Sequence, residues 1–288
     1  MKIIVRKPTS AINIYRSNPN NYTDIEAFYD KLPHVLDNMN VEYGIVDRWA
    51  DIDTTNSIEL RWHDRGNAKN TWYIKSGYLP NYFYFDKTGY SGWGSLVHDY
   101  DCDIDYAIAN EFIDSFMFDS RMPQAEEATD IDKPYVLVLG QKWLDAVLPF
   151  SYFGKNLHSM VVDLYSDSEY NVIFKPHPLN PEEKGNRGNL HKLVDGAKAV
   201  YTMNSGSGFE ALFQGKRVFT TGVCDYHWAT TQLKTMKDFR NSIQLLDEPV
   251  DTNRINKFLY YCMTEYFMNI NDTNSIQKKI HQAIAQAY

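Results

Sequence analysis

Two short segments combine residue types that handle a phosphate, and a third could line the same cleft. Asn204-Ser205-Gly206-Ser207-Gly208-Phe209-Glu210-Ala211-Leu212 is a hydroxyl-rich turn between an apolar run, 199–202, and a helix-like stretch. A helix N-terminus leaves N–H groups unpaired and carries the positive end of the dipole, which suits an anion. Ser205 or Ser207 adds a hydroxyl, and Gly206 and Gly208 let the backbone come close to a ligand. An ordinary serine N-cap with turn glycines has the same pattern. Lys175-Pro176-His177-Pro178 follows a second apolar run. Its two prolines restrict the backbone, so the His177 ring is held where it can donate to a phosphate or move a proton. A rigid loop with a surface histidine is the plainer alternative. The third segment, Gly140-Gln141-Lys142-Trp143-Leu144-Asp145, spaces Gln141 and Asp145 by one helical turn, so both can face one cleft.

The first half contributes three further loops, each after a strand-like run. They are His63-Asp64-Arg65-Gly66, Ser76-Gly77-Tyr78-Leu79-Pro80, and the stretch from Asp86 to Ser95. Asp64, His63 and Asp145 are the candidates for a general base. Tyr78, Asp86, Tyr90, Ser91 and Trp93 are the candidates for contacts to a second ligand, the acceptor if the chemistry is a group transfer, their rings serving either as stacking platforms or as core packing. His63-Asp64-Arg65 also fits a charged hairpin turn.

These segments need strands to carry them. Runs 2–6, 41–46, 58–62, 72–75 and 82–85 are β-branched or aromatic and end in turn residues, with helix-like stretches at 22–38 and 105–118. In the second half, apolar runs at 135–139, 171–174, 199–202, 217–221 and 242–246 alternate with helix-like segments, the pattern of a parallel sheet covered on both faces. The last stretch, 252–288, reads as two helices split at 269–274. In such sheets ligands bind at the carboxyl ends of the strands, where the polar segments above lie. A polar, charged stretch at 124–133, bracketed by Pro123 and Pro134, suggests a boundary between domains 1–130 and 131–288. The chain of 288 residues is long enough for two.

Composition narrows the function. A net charge of −8 argues against a strongly basic nucleic-acid binder, although Lys175, Lys184, Arg187, His191 and Lys192 form a local basic cluster. The three cysteines, Cys102, Cys224 and Cys262, lack zinc or disulfide spacing, and no metal is expected. Absence of a long apolar run predicts no membrane insertion and a cytoplasmic protein.

Taken together, the Gly140-Gln141 and Asp145 segment, the Lys175-Pro176-His177-Pro178 loop and the Ser205–Gly208 turn, followed by Gly215-Lys216-Arg217-Val218, resemble the capsule polysaccharide synthesis proteins, which include bacterial Kdo transferases. That resemblance implies a GT-B glycosyltransferase: α/β, with two Rossmann-like domains facing across a cleft. The donor would be a nucleotide sugar, held mainly by the second domain and needing no metal. Gly140, Gln141, Lys175, His177, Pro178, Asn204, Ser205, Gly206, Ser207 and Gly208 would form its site, with Glu210 on the ribose or a cytosine-like base. The Gly77-Tyr78-Leu79-Pro80 and Asp86–Ser95 loops resemble the family's glycine-rich pair. Trp62-His63 and Gly89-Tyr90-Ser91-Gly92-Trp93 resemble proteins of T-even-like phages. With the AT-biased composition, this favours a DNA acceptor: the hydroxymethyl group of a modified cytosine in bacteriophage DNA, taking a hexose or a pentose such as arabinose in the host cytoplasm. The alternatives are an oligosaccharide acceptor in capsule or surface polysaccharide synthesis, a sugar-nucleotide epimerase, and a nucleotide-binding protein without turnover.

Overall fold

The β-branched and aromatic runs of the first hundred residues pair into one sheet, and the apolar runs after residue 134 pair into another. The computed structural model describes residues 2–9, 12, 23–121, 124, 131, 133–142, 145–154 and 156–287. These divide into two compact units, 1–99 with 261–288, and 100–260.

In the first unit, β1 (Lys2–Lys7), β2 (Tyr43–Asp47), β3 (Ser57–Trp62), β4 (Thr71–Ser76) and β5 (Tyr82–Asp86) join a short late strand, β11 (Met268–Asn269), in the order β11-β5-β4-β3-β1-β2. The four strands β2-β1-β3-β4 are parallel, and β5 and β11 run antiparallel to their neighbours. Helix α1 (Thr23–Asn38) spaces Ile25, Phe28, Tyr29, Leu32, Val35 and Leu36 along one face, the i, i+3, i+4 pattern that buries a stripe. Alternate strand residues meet that stripe: Ile3 and Val5, Ile58 and Leu60, Phe83 and Phe85.

In the second unit, β6 (Tyr135–Leu139), β7 (Asn171–Lys175), β8 (Val200–Thr202), β9 (Val218–Thr220) and β10 (Thr231–Gln232) form an all-parallel sheet in the order β10-β9-β8-β6-β7. Every residue of β6 is buried, as a continuous apolar run predicts for a central strand covered on both faces. Val136, Val138, Tyr201 and Phe219 pack with Leu157 and Val161 of α3 (Leu157–Leu164) and with Phe239 of α6 (Met236–Asn241). The other helices of this unit are α2 (Tyr106–Ser115), α4 (Leu190–Gly196), α5 (Gly206–Leu212) and α7 (Thr252–Tyr261).

Two sequence expectations differ from the structure. The units do not divide as 1–130 and 131–288. Met268 and Asn269 pair with β5, and Ile276, Ile280 and Ala283 of α8 (Thr273–Ala285) enter the core of the first unit, so the chain's last segment returns to the first sheet. Of the stretch expected to mark the boundary, Pro123, residues 125–130 and residue 132 lie outside the described residues. The run 242–246 is a 3-10 helix rather than a strand. It continues from α6, and Gln244 is exposed between the buried Ser242 and Leu246, where a strand would place all three on one face. Among the described residues no helix is long and apolar enough to cross a membrane.

Candidate functional site

Strand register brings the three polar segments of the second unit to one edge. Leu139 pairs with Lys175 on one side and with Thr202 on the other. Gly140, Pro176 and Met203 therefore leave the sheet at the same level, and His177 and Asn204–Ser205 emerge on either side of Gly140. The Gly140 N–H donates to the Lys175 carbonyl at 2.8 Å. A Cβ on Gly140 would lie 2.9 Å from the His177 nitrogen and 3.1 Å from the Lys175 oxygen, so this approach of the two strand ends requires glycine.

His177 is oriented by its own loop. Its Nδ1 accepts the Leu179 N–H at 3.1 Å, which leaves the ring proton of the neutral form on Nε2. Burial depresses its pKa, against the nearby Asp145 carboxylate, so the ring is neutral at pH 7. A half-buried imidazole with a fixed Nε2–H is a directed donor. Pro178 beside it is exposed.

Gln141 and Asp145 meet as their spacing suggests, with Gln141 Nε2 donating to Asp145 Oδ2 at 3.1 Å. Neither residue is itself helical; Trp143 and Leu144 between them lie outside the described residues. Asp145 also accepts the Val147 N–H at 3.2 Å, and the Gln141 carbonyl accepts from Asn180 Nδ2 at 2.9 Å. Gln141 is buried, and its Oε1 has no partner among the described residues. It lines a cavity of about 250 Å³ together with Gly140, Leu148, His158, Phe174 and Glu183. The His158 ring stacks on Phe174 at 4.4 Å.

The serine turn begins α5. Ser205 occupies the N-cap but makes no capping bond with its side chain, so its hydroxyl is not spent on the helix. Its N–H is taken by Thr202 Oγ1 at 3.1 Å, and its carbonyl accepts from the buried Tyr226 hydroxyl at 2.7 Å. Ser207 follows in the first turn and is half-buried, and Asn204 is tied through Nδ2 to the Val147 carbonyl at 3.0 Å. Gly208 proves to be a packing requirement rather than a surface for ligand approach. A Cβ there would stand 2.8 Å from Thr202 Cγ2 and 2.9 Å from the Tyr226 hydroxyl. Gly208→Ala is expected to cost about 2 kcal/mol, the usual penalty for overpacking a closed site, and to loosen the Tyr226–Ser205 bond. A urea midpoint equal to that of the wild type rejects this account.

Two residues expected to face the donor are engaged elsewhere. Lys175 Nζ donates to the Gly188 carbonyl at 2.5 Å. Glu210 is buried, with Oε2 bonded to the Ser120 hydroxyl and 3.3 Å from His191 Nε2. The basic cluster considered for DNA is also largely consumed. Besides Lys175 and His191, Arg187 Nη2 donates to the carbonyls of Asn180, Pro181 and Glu183 at 2.8, 3.1 and 2.9 Å.

In the first unit, Asp86 is a structural knot instead of an acceptor contact. Its Oδ1 accepts from the Thr88 N–H, the Thr88 hydroxyl and the Gly89 N–H; its Oδ2 accepts from the Ser95 N–H, the Ser95 hydroxyl and the Tyr266 hydroxyl. Six donors saturate the carboxylate, which is 2% exposed. That knot shapes the loop holding Tyr90, Ser91 and Trp93. Tyr90 and Ser91 are buried, Ser91 with a left-handed φ of 49°. Tyr90 lies under the Lys75 ammonium at 3.9 Å and beside the His63 ring at 5.3 Å, and Trp93 lies under the Arg65 guanidinium at 3.9 Å. Tyr78 packs edge-on against Tyr84 and Phe267. These rings are chiefly packing. His63 is exposed on a backbone of φ 51°, and Asp64 is half-exposed, accepting the Arg65 N–H at 2.9 Å with Arg61 Nη1 at 3.8 Å.

Sequence reasoning missed Arg6, Arg48 and Arg61, which meet beside Asp64 in a pocket of about 210 Å³. A signal was present: Arg6 interrupts an apolar strand, and a charge buried there needs partners. Among the described residues no group of three or more His, Cys, Asp or Glu is arranged to hold a metal.

Comparison with known proteins gives two family models and a shared fold. Residues 185–270 match a model described as capsule polysaccharide biosynthesis protein, a span that includes the serine turn. Residues 73–199 match a model of alpha-2,8-polysialyltransferase, which spans the His177 loop and Gly140. A search of curated protein sequences finds no match. Among solved structures, the chain is similar to the beta Kdo 2,7 transferase of Thermosulfurimonas dismutans KpsC, with a TM-score of 0.58 at 15% identity over 99% of each chain. The beta Kdo 2,4 transferase of the same protein matches with a TM-score of 0.58 at 13% identity over 98% of each chain. At such identities the likeness is one of fold, a GT-B fold of two Rossmann-like α/β units.

Proposed function

We propose that this chain, a glycosyltransferase of GT-B fold, moves a sugar from a nucleotide-sugar donor to a hydroxyl of an oligosaccharide in capsule or surface polysaccharide synthesis. The observation that carries the reading is the joint emergence of Gly140, His177 and Ser205 at one sheet edge. Two strand spacings separate β7 from β8, about 10 Å, the reach of one phosphate with a hydrogen bond on either side. His177 Nε2 and the hydroxyls of Ser205 and Ser207 donate to the leaving phosphate, Gly140 lets the His177 loop pass close enough to reach it, and no metal is needed. The cavity beside Gly140, lined also by Gln141, His158 and Phe174, takes the nucleoside. Glu210 contributes by fixing His191 rather than by touching ribose. Asp64, His63 and Asp145 stay the candidates for the base that deprotonates the acceptor, Asp145 also holding Gln141.

The polysaccharide acceptor is favoured over phage DNA. Duplex binding draws on cationic donors free to reach phosphate, and Lys175, Arg187 and His191 of the second-unit cluster turn donors to the protein's own carbonyls and carboxylate. The deciding experiment incubates the protein, without added divalent metal, with a panel of nucleotide sugars and either a capsule-type oligosaccharide or hydroxymethylated DNA. Mass spectrometry is expected to find the added sugar on the oligosaccharide. Product on DNA alone, or an epimerised nucleotide sugar with no transfer, overturns the reading.

A further inference from the structure

The arginine pocket of the first unit is built in two layers. Arg6 on β1 and Arg61 on β3 are register partners, and both grip the buried Glu59. Arg6 gives Nε and Nη2 to Glu59 Oε1, each at 2.8 Å, and Nη1 to the carbonyls of Arg48 and Ala50 at 3.3 and 2.7 Å. Its donors are spent, and it acts as a fastening. Arg61 gives Nε and Nη2 to Glu59 Oε2 at 2.7 and 2.5 Å, which leaves Nη1 3.8 Å from Asp64, beyond hydrogen-bond length.

Arg48 forms the outer layer. Among the described residues its side chain makes one hydrogen bond, from Nη2 to the His63 carbonyl at 3.3 Å. Its guanidinium lies 4.6 Å from the centre of the Trp49 indole. Trp49 is 75% exposed, more than any other aromatic side chain among the described residues. Stacking on Arg48 holds the ring without hiding it. The pocket lining thus carries three guanidinium groups and one carboxylate, Asp64; Glu59 lies beneath it on Arg6 and Arg61, and Asp47 accepts the Trp49 N–H at 3.0 Å.

We propose that this pocket is a subsite for a sugar carrying an anionic group, which sits between Arg48 and Nη1 of Arg61 while the apolar face of the sugar ring lies on Trp49. Guanidinium groups suit a carboxylate or phosphate because their donors form a planar fork. Two guanidinium groups with donors left over fit one anion on a monosaccharide, not a polyanion tracked by many cations. Asp64 lines the same pocket, so a sugar held here presents a neighbouring hydroxyl to the candidate base. That last point rests on the proposed function and makes the acceptor an acidic glycan; the binding itself does not depend on it.

The test measures binding to the full chain without donor, by saturation-transfer NMR and tryptophan fluorescence. The probes are methyl glucuronide, glucose 6-phosphate, methyl glucoside and a duplex DNA oligonucleotide. At least one anionic sugar is expected to bind about tenfold tighter than methyl glucoside, and more weakly as salt rises. Preference for the glucuronide identifies a carboxylate, and preference for the sugar phosphate a phosphate. Arg48→Gln is expected to abolish the preference and Trp49→Ala to weaken binding of all three sugars, each leaving the unfolding midpoint within about a degree or two of wild type, since both side chains are peripheral to the core. Equal binding of the neutral sugar, no binding of either anionic sugar, an unaltered preference in Arg48→Gln, unaltered sugar binding in Trp49→Ala, or Trp49-dependent binding of DNA tighter than either sugar overturns the proposal. Failure of sugar transfer with this binding intact counts against the proposed function alone.

Discussion

His177→Ala is expected to lower kcat for sugar transfer by about 10²–10³-fold, with a smaller change in the donor KM. On the proposed reading, negative charge grows on the leaving phosphate as the glycosidic bond breaks, and a donor fixed before that moment stabilises the transition state more than the bound substrate. The geometry supplies such a donor: Nδ1 is occupied by the Leu179 N–H, and the proton sits on Nε2. His177→Gln, which keeps a donor on a longer and less constrained side chain, is expected to recover part of the rate. Loss confined to KM, or a variant as fast as wild type, sinks the assignment.

The depressed pKa of the same ring predicts a pH signature. Burial keeps the folded imidazole neutral below its ordinary value of 6.5, whereas the unfolded chain takes up the proton near that value. As pH falls from 6.5 the unfolded state therefore binds more protons than the folded state, and stability drops until the folded ring also charges. Above 6.5 this contribution is constant. His177→Ala removes this part of the acid loss, so the difference in unfolding free energy between variant and wild type is expected to shift in the variant's favour on acidification from pH 7 to 5. A pH-independent difference sinks the buried-neutral description.

What was legible in the sequence follows from period and position. Continuous apolar runs such as 135–139 can be satisfied only by burial on both faces, and the polar residues after them then fall at one sheet edge. That logic led to Gly140, His177 and Ser205 without coordinates. It failed where a residue's role depends on a partner far along the chain. Asp86 has the type and place of a ligand contact, yet one of its donors, Tyr266, lies 180 residues away. Arg6 and Arg61 lie far apart in sequence and acquire meaning only through the β1–β3 register. The run 242–246 misled because five residues with three apolar members fit a strand and a short helix equally well. The return of 268–285 to the first unit had no local signal, since an amphipathic helix does not state which sheet it covers.

Asp86→Ala is expected to destabilise the protein by about 3–4 kcal/mol, a large share of the few kcal/mol that usually separate folded and unfolded domains. Every neighbour of this carboxylate is a donor: three backbone N–H groups and three hydroxyls. Removing the acceptor strands those donors in a site too closed for water to replace it fully, and each buried, unpaired donor costs about 1–3 kcal/mol before the loop relaxes. Asp86→Asn discriminates between a structural and a catalytic role. Asparagine matches the shape but turns one acceptor into a second donor, facing groups that can only or already donate, so it too is expected to lose about 2 kcal/mol. The loop would then no longer hold Ser91 at its left-handed φ of 49° or Tyr90 beneath Lys75. Turnover by the molecules that remain folded is expected to stay near wild type at low temperature, because Asp86 has no free lone-pair direction for substrate. Urea unfolding followed by far-UV circular dichroism, with activity measured on the folded fraction, separates the cases. An unchanged midpoint with lost turnover would return Asp86 to the reaction itself.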